Sequence, residues 1–118
     1  MSELNDFIFR MKGVMRAVEN DAGAATLDSL SLDILNRVGD AQTADEILIV
    51  GDIIGNEAFG SPATAHGRLK KLTKQGWLKL ADDPEDGRRK ILRLSDKSVR
   101  MFNKMSSSVL KLAQKNRG

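Results

Sequence analysis

The stretch that decides the fold runs from residue 60 to residue 95, GSPATAHGRLKKLTKQGWLKLADDPEDGRRKILRLS. Ser61 is an N-cap residue, and Pro62 follows at the first helical position, where its missing N–H costs nothing. The helix this predicts covers 61–75. Gly76 stands where a left-handed residue ends it. Trp77–Leu80 and Ile91–Leu94 read as short strands with alternating charge. Asp82-Asp83-Pro84-Glu85-Asp86-Gly87 is the turn between them, and Arg88-Arg89-Lys90 follows it directly.

At about 100° per residue, Ala65, Leu69, Leu72 and Gly76 share one arc of the helix, its core face. The opposite face carries Ala63, Thr64, Gly67, Lys70, Lys71 and Lys74, with His66 and Arg68 on its flanks. The outer face is small at its start and cationic toward its end. Small residues let a helix press its first turns against base edges, while lysines reach phosphates. Gly67 costs about 1 kcal/mol relative to Ala in mid-helix. Close backbone approach to DNA accounts for that cost; a tolerant surface position is the alternative. Arg88, Arg89 and Lys90 at the hairpin tip suit a narrow minor groove or phosphates. In the opposing reading they neutralise Asp82, Asp83, Glu85 and Asp86.

The charge map agrees with a polyanion-binding face. Eleven bases and five acids lie between His66 and Arg100, net +6, whereas nine acids and one base lie between Glu19 and Glu57, net −8. The 118-residue chain is one domain in length, and it has no cysteine, which excludes disulfides and Cys-ligated zinc. The N-terminus MSELNDFIFRMKG does not read as a signal peptide, and no apolar run reaches membrane-spanning length, so a cytoplasmic protein with no membrane partner is expected. Aromatics are 4% of residues, too few for a single-strand stacking platform.

Outside 60–95, residues 3–20 read as an amphipathic helix with Leu4, Phe7, Ile8, Met11, Val14, Met15 and Val18 on its apolar face. Residues 21–26, DAGAAT, form a linker. A second helix starts near Ser31 as N-cap, with Leu32, Leu35 and Val38 on one face. Thr43-x-x-Glu46 has the form of a capping box, but the β-branched run after it favours a strand at 47–49 and then a helix over 50–59. Ser95 or Asp96 caps a final helix that carries Val99, Phe102, Met105, Val109 and Leu112. The terminal helices hold more apolar surface than a small domain can cover. Pairing with a second copy, as a homodimer, is the expected way to bury it. Folding onto each other or onto their own domain is the alternative.

Enzymatic chemistry has little to work with. There is one histidine, no cysteine and no tyrosine, and Gly60-Ser61 lacks the flanks of a nucleophile elbow. The acidic turn lacks the spacing of a calcium loop. No catalytic residue, metal or cofactor is expected.

From residue 30 to 95 the chain resembles the MarR-type winged helix-turn-helix regulators. LSLDILNRV is similar to that family's helix before the helix-turn-helix. SPATAHGRLKKLTKQGWL is similar to its recognition helix and the turn into the wing. DPEDGRRKILRLS is similar to its wing, with Asp86-Gly87-Arg88 at the Asp-x-Arg positions. Gly87 stands where many members carry another arginine, and one C-terminal helix is expected where two are common. The resemblance implies a mainly α fold with a small β-hairpin wing (α+β): a winged-helix core over 30–95 within one domain, 1–118, dimerised by helices in 1–26 and 96–118. It implies a homodimeric regulator of transcription, a repressor, bound to double-stranded DNA through the recognition helix (61–75, major groove) and the wing (81–90, minor groove). Ser61, Ala63, Thr64, His66, Gly67 and Arg88 are the residues it gives to DNA; a small-molecule effector comes with it. A winged-helix module for protein interaction or assembly is the alternative.

Overall fold

The structure, a computed structural model, describes residues 2–116. Five helices and one hairpin follow in the order α1 (Glu3–Asp21), α2 (Ser29–Thr43), α3 (Val50–Ile54), α4 (Pro62–Lys74), β1 (Leu78–Asp82), β2 (Lys90–Leu94) and α5 (Asp96–Asn116). They form two compact units, Leu27–Ser98 and, from the two ends of the chain, Met1–Thr26 with Val99–Gly118.

In the first unit, α2, α3 and α4 close on a core of Ile34, Leu35, Val38, Ile53, Ala65 and Leu72, all essentially without solvent exposure. The hairpin pairs antiparallel, with Leu78 opposite Leu94, Leu80 opposite Leu92 and Asp82 opposite Lys90. Trp77, Leu78, Ile91, Leu92 and Leu94 are buried, so the base of the hairpin belongs to the core and only its far end projects.

Three expectations change. First, Asp28, not Ser31, caps α2: its Oδ1 accepts the Ser31 N–H at 2.9 Å. Both are good caps, but Leu27 and Ser31 are buried, which draws the chain into the helix one turn earlier. Second, the strand at 47–49 contracts to one bridge between Ile49 and Ile91, beside a 2.8 Å bond from the Leu92 N–H to the Leu48 carbonyl. Asp45 turns the chain there at a positive φ of 54°, and Ile47 is left 61% exposed. Third, the helix over 50–59 stops at Ile54. Asp52 accepts the Ile49 N–H at 3.0 Å and starts it; Gly55 ends it, and a single 3₁₀ turn, Glu57–Phe59, follows. Thr43 lies in the last turn of α2 and caps nothing.

In the second unit, α1 and α5 carry apolar side chains on surfaces that differ in exposure. Val18 and Met105, expected at an interface between copies, are already buried in the chain. Phe7, Ile8, Met11, Val14, Met15, Phe102, Val109 and Leu112 are partly exposed, and Leu4 and Val99 are exposed. Phe9 and Leu110, which periodicity did not place on that face, are exposed as well. An open groove of about 520 Å³ runs between Met15 of α1 and Phe102, Met105, Ser106, Val109 and Leu110 of α5. A Lys104–Asp21 ion pair at 3.9 Å also joins the two helices. Among the described residues, no helix is long and apolar enough to cross a membrane.

Candidate nucleic-acid interface

Helix α4 is fixed at both ends. The Ser61 Oγ accepts the Thr64 N–H at 3.2 Å and makes a second bond with the Thr64 hydroxyl at 3.0 Å. Gly60, at φ 86°, brings the chain into this cap, and a Cβ there would stand 3.3 Å from the Thr64 methyl. At the other end Gly76 adopts φ 80°, its N–H bonds the Thr73 carbonyl at 3.1 Å, and the Trp77 N–H bonds the Leu72 carbonyl at 2.9 Å. This double closure is a Schellman motif.

The turn after α4 is also locked to the start of α5. The Trp77 carbonyl accepts the Ser95 N–H at 3.2 Å and the hydroxyl of fully buried Ser98 at 2.6 Å. Lys97 donates to the Gln75 carbonyl at 3.0 Å and sits 3.7 Å over the Trp77 ring.

With Ala65, Leu69 and Leu72 buried, the opposite face of α4 turns outward. Ala63, His66, Gly67, Lys70, Lys71 and Lys74 are exposed on it. Nothing lies within 4 Å of where a Gly67 Cβ would be, so no packing demand of the protein explains that glycine. Lys70, Lys71 and Lys74 take part in no ion pair among the described residues. Between α4 and β1 an open groove of about 540 Å³ is lined by Leu69, Val50 and Leu80, with His66, Lys70 and Lys74 along it.

Three of the expected contact residues, Ser61, Thr64 and Arg68, are otherwise engaged. The Thr64 hydroxyl is held in the helix cap, and Arg68 reaches back to Asp28 at 2.8 Å. That contact pulls Arg68 off the presented face.

The hairpin tip is self-paired. Arg88 bonds the Asp86 Oδ1 through its backbone N–H and its Nε, both at 3.1 Å. These bonds hold the Asp86 carboxyl below its ordinary range, the side-chain bond foremost. Arg89 lies 3.6 Å from the buried Asp83, whose other oxygen accepts the Glu85 N–H at 2.9 Å. Lys90 pairs with Asp82 across the strands. The cations of this hairpin are thus paired with its acids, and Arg88 keeps a 92% exposed side chain while it is paired.

Sequence reasoning passed over Lys79 and Arg93. The register sets them directly opposite each other, both exposed and in no ion pair among the described residues. Like charges so placed repel. Only the strand register reveals the pair; the spacing of the two residues along the chain does not. Among the described residues, no three or more His, Cys, Asp or Glu side chains stand together as a metal site.

No protein-family model matches the chain, and neither does any of the curated proteins. Solved structures do. A point mutant of MepR from a multidrug-resistant S. aureus clinical isolate superposes with a TM-score of 0.65 at 17% identity, over 95% of this chain and 76% of MepR. The transcriptional regulator Tm0710 of Thermotoga maritima gives 0.65 at 23% identity, over 95% and 73%. The transcriptional regulator PcaV of Streptomyces coelicolor, in complex with its natural ligand, gives 0.51 at 24%, over 91% and 72%. These neighbours are MarR-type transcriptional regulators. The chain has their winged helix-turn-helix fold. In that fold α4 is the second helix of the helix-turn-helix and the hairpin is the wing.

Proposed function

We propose that this winged helix is a homodimeric, sequence-specific double-stranded DNA-binding regulator of transcription, acting as a repressor. The observation that carries the reading is the outer face of α4. It is small at Ala63 and Gly67 and cationic at Lys70, Lys71 and Lys74, and no acid among the described residues neutralises those lysines. A helix of that kind enters the major groove with its first turns near base edges and its lysines toward phosphates. The wing adds Arg88 at the neighbouring minor groove. The exposed apolar residues of α1 and α5, led by Leu4, Phe9 and Leu110, support pairing with a second copy. A two-fold dimer then reads a palindrome. PcaV binds a natural ligand, so a small-molecule effector is part of the proposal.

Selection from random duplexes at fixed salt tests it. The expected result is a palindrome with half-sites about one helical turn apart, bound by a dimer. Leu110→Asp is expected to shift the protein toward monomer in sedimentation and to lower its affinity for the full palindrome. No enrichment at low salt, together with capture of a stable heteromeric complex, would favour the interaction module instead.

A further inference from the structure

Arg68 stands at the flank of the groove-facing surface, and charge alone makes it a DNA contact. Its surroundings say otherwise. The guanidinium meets one oxygen of Asp28 through both Nε and a terminal nitrogen, each at 2.8 Å. The second Asp28 oxygen is taken by the Ser31 N–H at 2.9 Å. One carboxylate therefore starts α2 and holds α4, forty residues further along the chain. The bond to Ser31, aided by Arg68, keeps Asp28 charged down to about pH 2.

An ion pair this exposed adds little to stability. Its geometry is directional all the same, because a planar guanidinium fixes an angle that a lysine cannot. Its place on α4 matters too. Arg68 directly follows Gly67, the residue with the lowest helix propensity in the outer face and with no neighbour of its own. Just before α4, Gly60 stands close to Leu30 of α2, where a Cβ would be 3.7 Å from the leucine side chain. The helix is thus tied to the start of α2 on both sides of its glycine.

We propose that Arg68 is a positioning residue. Latched to Asp28, it sets the turn of α4 about its own axis, so that Ala63, Gly67 and Lys70 face the groove together. This rests on the DNA-binding reading above.

The test uses the full chain and a duplex selected by the wild type, followed by anisotropy from 50 to 200 mM salt. Asp28→Asn keeps the helix cap, because asparagine caps as well as aspartate, but removes the charge that holds Arg68. Both Asp28→Asn and Arg68→Gln are expected to weaken binding by roughly three- to thirtyfold with the salt slope unchanged. The double variant should be no worse than either single one, and Arg68→Lys should recover part of the loss. Stronger binding by Asp28→Asn would overturn the proposal, since it would mean that Asp28 withholds Arg68 from DNA. A slope flattened by about one unit per protomer in Arg68→Gln would overturn it as well, because that marks a lost phosphate contact. A wild type that binds no duplex would refute the DNA reading instead. The latch would then be judged on thermal unfolding, where strictly additive losses for the two substitutions would refute it.

Discussion

Helix α4 and the wing each present three cations in close sequence, and the two sets are in opposite electrostatic states. Lys70, Lys71 and Lys74 have no acidic partner among the described residues. Arg88, Arg89 and Lys90 are matched to Asp86, Asp83 and Asp82. With Glu85 included, the hairpin tip from Asp82 to Lys90 holds four acids and three bases, net −1. Formal charge and available charge are thus different quantities. A phosphate gains full value from a cation only if that cation has no carboxylate to leave behind.

The largest expected effect breaks this comparison if it fails. Lys70, Lys71 and Lys74 replaced together by Gln should flatten the slope of the salt dependence of duplex binding by about three units per protomer and weaken affinity on the order of a hundredfold or more at physiological salt. Arg88, Arg89 and Lys90 replaced in the same way should flatten it by about one unit per protomer, through Arg88. Equal slopes for the two triple variants would mean that the wing pairs open freely on DNA.

A smaller effect has the opposite sign. Asp82 is exposed and serves only Lys90. Asp82→Asn should release that lysine, steepen the salt slope by up to about one unit per protomer and strengthen binding. Unchanged affinity would show that Lys90 does not reach the duplex.

The smallest effect concerns acid. The Asp28 carboxyl is held at about 2, below its ordinary 3.8, and Asp86 is lowered as well. A depressed carboxyl contributes stability that is fully present above about pH 4 and is lost as pH falls through the folded value. Melting temperature should therefore drop between about pH 4 and pH 2. Asp28→Asn should flatten that drop more than Asp86→Asn, because Asp28 holds a helix start as well as an arginine. Parallel acid curves for the wild type and Asp28→Asn would contradict the assignment.

Much of the fold was legible because it is written locally. Ser61-Pro62 and Gly76 bound α4, and the alternation in Leu78–Leu80 and Ile91–Leu94 carries the hairpin. The start of α2 was misread because Asp28 and Ser31 are both competent caps three residues apart, and burial of Ser31 decides between them. The run at Ile47–Ile49 has strand propensity, but a single bridge to Ile91 is all the sheet offers it. The face of α4 followed from period alone. Which of its cations are free did not, because Arg68 answers to a carboxylate forty positions away. Lys79 and Arg93 were missed for a related reason: their meeting depends on strand register.

The chain has a single tryptophan, and that residue closes the C-terminal end of α4. Its indole is 3% exposed beneath the Lys97 ammonium, and its carbonyl is held by Ser95 and Ser98. The protein therefore carries its own optical probe at the joint between α4 and α5. Its burial predicts a blue-shifted intrinsic emission that reports on that joint. A DNA titration or an effector that disturbs the joint changes the signal, with no label attached and no second chromophore of the kind to subtract.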